Sequence, residues 1–221
     1  MRLLIAEGVK DDPRLREMQV LAESRRATVD RVPREELELL LPTVNHQGVA
    51  LYAGEYPYST VGEIAERPGT VLVLDHMQDP QNLGTLIRAA EAASVAGIVI
   101  PADRAAEITP AVVNASAGAV EHVLVAKEPN LSRAIETLKG TGRWALGLGS
   151  ANEALDLYQA DLPLPAILVV GSEGSGLTPI VRKACDVIVK IPMTGRIASL
   201  NAATAGSLAV FELVRREGIL I

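Results

Sequence analysis

The sequence is poor in what several large function classes require. One cysteine, Cys185, stands among 221 residues, so no intrachain disulfide can form and a reducing cytoplasm fits. The histidines His46, His76 and His122 are scattered and, with a lone thiol, make no ligand cluster, so no metal is implied. Aromatic residues are 3% of the chain, with one Phe and one Trp, which gives little support to recognition of bases by stacking. No apolar run reaches the roughly 18 residues of a membrane span. The opening MRLLIAEGVKDDPRL soon turns acidic and has no small-residue cleavage pattern, so no signal peptide and no membrane partner are expected. Positive charge is short as well. The formal net charge is −6, whereas proteins that grip phosphates usually carry a basic footprint.

What is present is apolar substance and order. Hydrophobic residues make up 48% of the chain, ample for one large domain or for a small domain joined to a medium one. Residues 1–50 hold eight Lys/Arg against nine Asp/Glu, so most of the acidity lies further on. Arg14, Arg16, Arg25, Arg26, Arg31 and Arg34 fall in this first segment, either on solvated helix faces or as an RNA-facing patch.

The same segment alternates strand and helix signals. RLLIA, ATVDRV and GVALYA predict three strands. Between them, DDPRLREMQVLAESR has helical spacing with Asp12 as N-cap and Pro13 at the first helical position, and PREELELLL opens on Pro33 with acids in its first turn. Residues 54–70 are richer in Pro, Gly and polar residues and predict a linker holding one short helix, which divides the chain into 1–53 and 71–221. From Val71 onward VLVLD, GIVIP, HVLVA, RWALGLG, AILVVG and DVIVKIP are continuous apolar runs, the pattern of strands buried on both faces of a parallel sheet. Helical segments fall among or after them: QNLGTLIRAAEAAS, TPAVVNAS, NLSRAIETLKG, TPIVRKA and NAATAGSLAVFELVRREG. The fold class is therefore α/β with helices on both faces, and ligands collect at the C-terminal ends of such strands.

Three loops there carry polar residues with chemical scope. In DHMQDPQNLGTLIRAAEAA, Asp79 and Pro80 predict a helix start and Gly84 permits close backbone approach. Asn82 and Arg88 are six positions apart, about 240° of rotation on one helix, so they converge only if Asn82 lies in the loop or first turn. Arg88 could equally pair with Glu91 at the surface, and Asn82 could be a plain cap. In VVGSEGSGL three glycines surround Glu173, which suits either a tight turn or a ligand loop. It is neither a dinucleotide fingerprint nor a P-loop, and Glu173 would repel a phosphate. In KIPMTGRIASLNAATAGSLAVFELVR, Ser199 and Asn201 flank Leu200 at the mouth of the last helix, where either could serve as N-cap or face a ligand.

Taken together and in this order, the loops resemble the SpoU/TrmH branch of the SPOUT RNA methyltransferases. The motifs are Asn82-Leu-Gly-Thr-Leu-Ile-Arg88, Gly171-Ser-Glu173-Gly-Ser-Gly-Leu177, and Ile191-Pro192-Met193 followed by Ser199-Leu200-Asn201. The segment through NHQGVALYA is similar to the small ribosomal-protein-like RNA-binding domain of many members, most like the subgroup that modifies a guanosine of large-subunit ribosomal RNA. The resemblance implies a C-terminal deep trefoil knot, a homodimer with its active site at the subunit interface, S-adenosylmethionine as cofactor and RNA as substrate. It implies that Gly171, Ile191 and Leu200 contact the cofactor, that Leu148, Gly149 and Met193 line its pocket, and that Asn82, Arg88, Glu173, Ser199 and Asn201 form the catalytic constellation. Among these, Asn82, Ser199 and Asn201 would position the ribose, and Glu173 would order the glycine loop or an arginine. A guanidinium with pKa above about 12 is a poor base, so Arg88 would hold a phosphate and stabilise the developing 2′-oxyanion. Transfer RNA as substrate, a non-catalytic RNA-binding or assembly protein on this scaffold, and a nucleotide-dependent metabolic enzyme are the competing readings. The chain departs from the family at Ala202-Ala203-Thr204-Ala205, where Val-Ser-Val-Ala is common. It also departs at its start, where a helix commonly precedes the first strand, so the N-terminal domain is expected to be reduced or to begin upstream.

Overall fold

The computed structural model describes residues 1–42, 44–150 and 153–218, which fall into two compact units, Met1–Tyr56 and Pro57–Ile221. The first unit runs β1 (Arg2–Ala6), α1 (Pro13–Ser24), β2 (Thr28–Val32), α2 (Arg34–Leu40) and β3 (Val49–Tyr52). Its sheet has the order β2-β1-β3, with β1 parallel to β2 and antiparallel to β3. Because side chains alternate across a strand, Leu3 and Ile5 meet Leu15 and Ala22 of α1, while Leu4 and Ala6 meet Leu37 of α2. Asp12 caps α1 by accepting the Leu15 N–H at 2.8 Å, with Pro13 in the first turn. Pro33 is the N-cap of α2 rather than its first helical residue, since its ψ of 144° is extended. The six arginines of this unit noted above are all exposed.

The second unit runs α3 (Val61–Ala65), β4 (Val71–Asp75), α4 (Pro80–Ala92), β5 (Gly97–Pro101), α5 (Pro110–Ala115), β6 (Val125–Glu128), α6 (Leu131–Lys139), β7 (Trp144–Leu148), β8 (Leu155–Asp156), β9 (Ala166–Gly171), α7 (Pro179–Ala184), β10 (Val187–Lys190) and α8 (Ala202–Arg216). Seven parallel strands form one sheet in the order β6-β5-β4-β9-β7-β10-β8. Every residue of β4, β5 and β9 is buried, which is why these segments read as unbroken apolar runs. Val71, Val73, Ile167 and Val169 pack with Ile64 of α3, Leu131, Ile135 and Leu138 of α6, and Val181 of α7. Each such side chain contributes about 1.5–3 kcal/mol by leaving water. On the other face α4 and α8 pack together over β9. A Cβ placed on Gly206 would lie 2.6 Å from Leu86 and 3.2 Å from Val170, so the small residue sets how closely α8 approaches.

Two local departures from the sequence reading have plain causes. HVLVA does not begin a strand at its first residues: Gly118, at φ +83°, turns the chain into a short 3-10 segment at Ala119–Glu121, and β6 starts only at Val125. The two residues of β8 are too short to leave a periodic signal. Within the polar stretch 54–70, the capping box of Thr60 and Glu63 starts α3, and Ile64 is fully buried. Buried Arg143 fastens the end of this stretch, donating to the carbonyls of Ala65, Arg67 and Gly69 and to Thr141 Oγ1. Burial holds its pKa below the usual arginine value.

Candidate active site

The chain lays down β4, β5 and β6 toward one edge of the sheet and then returns to place β7 and β10 beyond β9. Since all seven strands are parallel, the loops leaving β4, β9, β7 and β10 emerge together at a topological switch point, where a crevice opens. Those loops carry the three sequence motifs.

The glycine loop after β9 folds back on itself. Ser172 and Gly176 exchange backbone hydrogen bonds of 3.2 and 3.0 Å, and the Ser172 and Ser175 hydroxyls meet at 2.7 Å. Gly174 and Gly176 take φ of +79° and +66°, the left-handed region that favours glycine. At Gly171 a Cβ would strike the backbone of Gly176 and Leu177. The loop is thus both a tight turn and a cavity wall, and it presents Glu173 at its tip.

Three motif residues converge on one polar cluster. Asn82, in the first turn of α4, is buried and donates through Nδ2 to Asp79 Oδ2 at 2.9 Å and to Glu173 Oε1. Asn201 donates through Nδ2 to Asn82 Oδ1 and to Glu173 Oε1, both at 3.1 Å. The same Asn201 accepts through Oδ1 the N–H groups of Ala203 at 2.9 Å and Thr204 at 3.1 Å, so it also caps α8. Cap and cluster are one side chain, where the sequence offered them as alternatives. Glu173 is held by two amides and, among the described residues, by no arginine.

Beside the cluster lies a cavity of about 830 Å³, within the size range of small-molecule sites. Leu148 at the end of β7 and Gly149 after it, Gly171 at the end of β9, and Ile191, Met193 and Leu200 after β10 all line it, as do Glu173, Ser199 and Asn201. The walls are apolar side chains and glycine backbone with a few polar groups at one side, which fits a nucleoside carrying a short aliphatic tail. Lys190 and Ser150 line it too; neither was singled out by sequence, although a lysine ending the apolar strand VIVK is a local signal. Asn82 and Arg88 are not in the lining. Arg88 is exposed on α4 and makes no hydrogen bond or ion pair among the described residues, with Glu91 or with the cluster. Ser199 is likewise exposed and makes no side-chain hydrogen bond there.

Comparison with known proteins accords with this arrangement. Residues 69–211 match the SpoU rRNA methylase family, and residues 1–59 match RNA 2′-O ribose methyltransferase substrate-binding domains. An uncharacterized tRNA/rRNA methyltransferase of Synechocystis is 38% identical over 98% of this chain, which spans 58% of that protein's length. A putative TrmH family tRNA/rRNA methyltransferase of Staphylococcus saprophyticus is 36% identical, over 99% of this chain and 89% of its own length. The crystal structure of an AdoMet-bound rRNA methyltransferase from Sinorhizobium meliloti superposes with a TM-score of 0.81 at 25% identity, covering 97% of this chain and 79% of that one. With both segments matched in order and the parallel sheet shared, the chain belongs to the SpoU family of RNA methylases.

Proposed function

We propose that the protein methylates a ribose 2′-hydroxyl in RNA, with a guanosine of 23S ribosomal RNA as target and S-adenosylmethionine as methyl donor. The observation that carries this reading is the convergence of loops from β7, β9 and β10 on one cavity, with Glu173, Ser199 and Asn201 on its wall and Asn82 bonded to Glu173 and Asn201. The match of residues 1–59 to substrate-binding domains of 2′-O ribose methyltransferases supports the ribose as acceptor. The rRNA methylase family match and the rRNA methyltransferase among the structural neighbours support ribosomal RNA as the substrate.

When bound, S-adenosylmethionine supplies an electrophilic methyl group. The chain's own residues then have to present the hydroxyl oxygen and accommodate its negative charge. Glu173 is pinned by two amides, which leaves it a loop anchor rather than a free base. Ser199 keeps a hydroxyl uncommitted among the described residues at the cavity wall and can orient the ribose. Arg88, exposed and unpaired among the described residues, is free to grip the adjacent phosphate and to stabilise the developing oxyanion. A homodimer with S-adenosylmethionine folded into a knotted C-terminal segment completes the proposal. Leu208 and Phe211, 44% and 40% exposed on α8, offer apolar surface for a second copy. The setting is the cytoplasm, where RNA and cofactor are both present.

The test is transfer of labelled methyl from S-adenosylmethionine to ribosomal and transfer RNA lacking the host's own modifications. Transfer to large-subunit RNA, abolished in Arg88→Ala and only weakly restored in Arg88→Lys, is the expected result. Near-full activity of Arg88→Lys refutes a role for the planar guanidinium fork, and transfer confined to tRNA replaces the substrate assignment.

A further inference from the structure

One carboxylate next to the site is used neither by the cavity nor by the polar cluster. Asp75, the last residue of β4, is fully buried and has no lysine or arginine partner among the described residues. Its Oδ2 accepts the Thr178 N–H at 2.6 Å, and its Oδ1 accepts His76 Nδ1–H at 2.6 Å. Stability alone does not call for this arrangement, because an apolar side chain of similar size would avoid burying a charge.

The position of Asp75 shows what the contact does. In the β4–β9 ladder residue 75 pairs with Gly171, the first residue of the glycine loop. Through its side chain it also holds Thr178, where that loop ends and α7 begins. One residue therefore fixes both ends of the loop that presents Glu173. His76 takes φ +58°, a left-handed conformation seldom adopted by a side-chain-bearing residue, and in it the imidazole reaches the neighbouring carboxylate. The chain then runs on to Asp79, whose carboxylate accepts from the Gln81 N–H and from Asn82. Residues 75–79 thus grip the glycine loop on one side and Asn82 on the other.

We propose that Asp75, oriented by His76, is a positioning residue for methyl transfer: it closes the glycine loop so that Glu173 meets Asn82 and Asn201 and the cavity keeps its wall. This inference rests on the methyl-transfer reading above, and its test separates the two. The full chain is compared with Asp75→Ala, Asp75→Asn and His76→Gly in methyl-transfer kinetics, in affinity for S-adenosylhomocysteine, and in melting temperature. Asp75→Ala is expected to weaken the affinity and lower kcat by roughly 10- to 100-fold each, the scale of an ångström-sized misplacement. Asp75→Asn keeps an oxygen for the Thr178 N–H and should recover most of the affinity. His76→Gly relieves the left-handed residue, so melting temperature should hold or rise while kcat falls. That divergence of stability from activity is what a merely structural pair cannot produce. An active wild type whose Asp75→Ala and His76→Gly variants keep its kcat overturns the proposal, as does activity that falls only in step with melting temperature. A wild type that transfers no methyl group defeats the functional reading instead. The positioning claim is then decided by S-adenosylhomocysteine alone, and equal affinity of wild type and Asp75→Ala overturns it.

Discussion

Replacing Asn201 by Asp separates the two tasks that this side chain performs. Its oxygen caps α8 through Ala203 and Thr204, and its amide nitrogen serves Asn82 and Glu173. An aspartate keeps the cap and adds a charge at the helix N-terminus, worth about 0.3–1 kcal/mol. At its other oxygen it sets a carboxylate where a donor lay 3.1 Å from Glu173 Oε1. Two unit charges at that distance repel by roughly 1 kcal/mol in water and about 5 kcal/mol at an effective dielectric of 20. Both residues are exposed, so the lower end applies. Adding about 1 kcal/mol for the lost bond to Asn82 gives a disturbance of roughly 2–3 kcal/mol in the cluster. If the cluster's geometry is realised in the transition state, kcat/KM falls about 30- to 150-fold. That disturbance, offset by the roughly 0.3–1 kcal/mol gained at the helix N-terminus, should lower the melting temperature of Asn201→Asp by about 2–10 °C. Asn201→Ala loses the cap, about 1 kcal/mol, together with both bonds of its amide nitrogen, about 1 kcal/mol each, and should melt roughly 6–12 °C lower. Methyl-transfer kinetics and thermal melts on the three proteins decide the matter. Wild-type kcat/KM in Asn201→Asp, or a wild-type melting temperature in Asn201→Ala, refutes this reasoning.

Other perturbations follow from the same geometry. Gly84→Ala should destabilise although alanine favours helices by about 1 kcal/mol, because its Cβ would meet Ala115 Cβ and lie 2.9 Å from the Ala115 and Ser116 backbone. Gly206→Ala, which meets mainly the tip of Leu86, should cost less, and urea midpoints of the two variants give the order. Glu212 is held well below the usual carboxylate range, at about 2, by hydrogen bonds from Arg215 and Arg216. A depressed folded value means that its stabilisation is present above the unfolded pKa near 4.3 and is lost as pH falls toward about 2. Glu212→Gln should therefore flatten the stability loss across that window, and an unchanged slope in acid titrations contradicts it. Burial pushes the Cys185 thiol up to about 12, so an aromatic disulfide reagent at pH 8 should label it slowly in the native protein and fast in urea.

The fold was legible where local chemistry and burial agree. VLVLD and AILVVG are strands because both faces are covered, and Asp12 and Asp79 cap helices at the positions their sequence suggests. Legibility failed where one local cue stood against another. HVLVA is apolar enough for a strand, yet the left-handed turn at Gly118 delays β6. In the site, the loops and their glycines could be read from sequence, but the partners could not. Glu173 is held by residues 91 and 28 positions away, a pairing that only the sheet order creates. Asp75 is quieter still, since the end of an apolar run does not reveal which backbone amide the carboxylate will meet. Arg88 remains on the outside of the cluster because six positions along α4 turn it away from Asn82, as the rotation requires.

The proposed acceptor of the methyl group is a ribose 2′-oxygen. That assignment is tested most directly by alkaline hydrolysis of large-subunit RNA methylated with labelled S-adenosylmethionine, followed by nucleoside analysis. A ribose lacking its free 2′-hydroxyl cannot assist cleavage, so the account predicts label in alkali-resistant dinucleotides that yield 2′-O-methylguanosine. Label recovered in mononucleotides carrying a methylated base would contradict it.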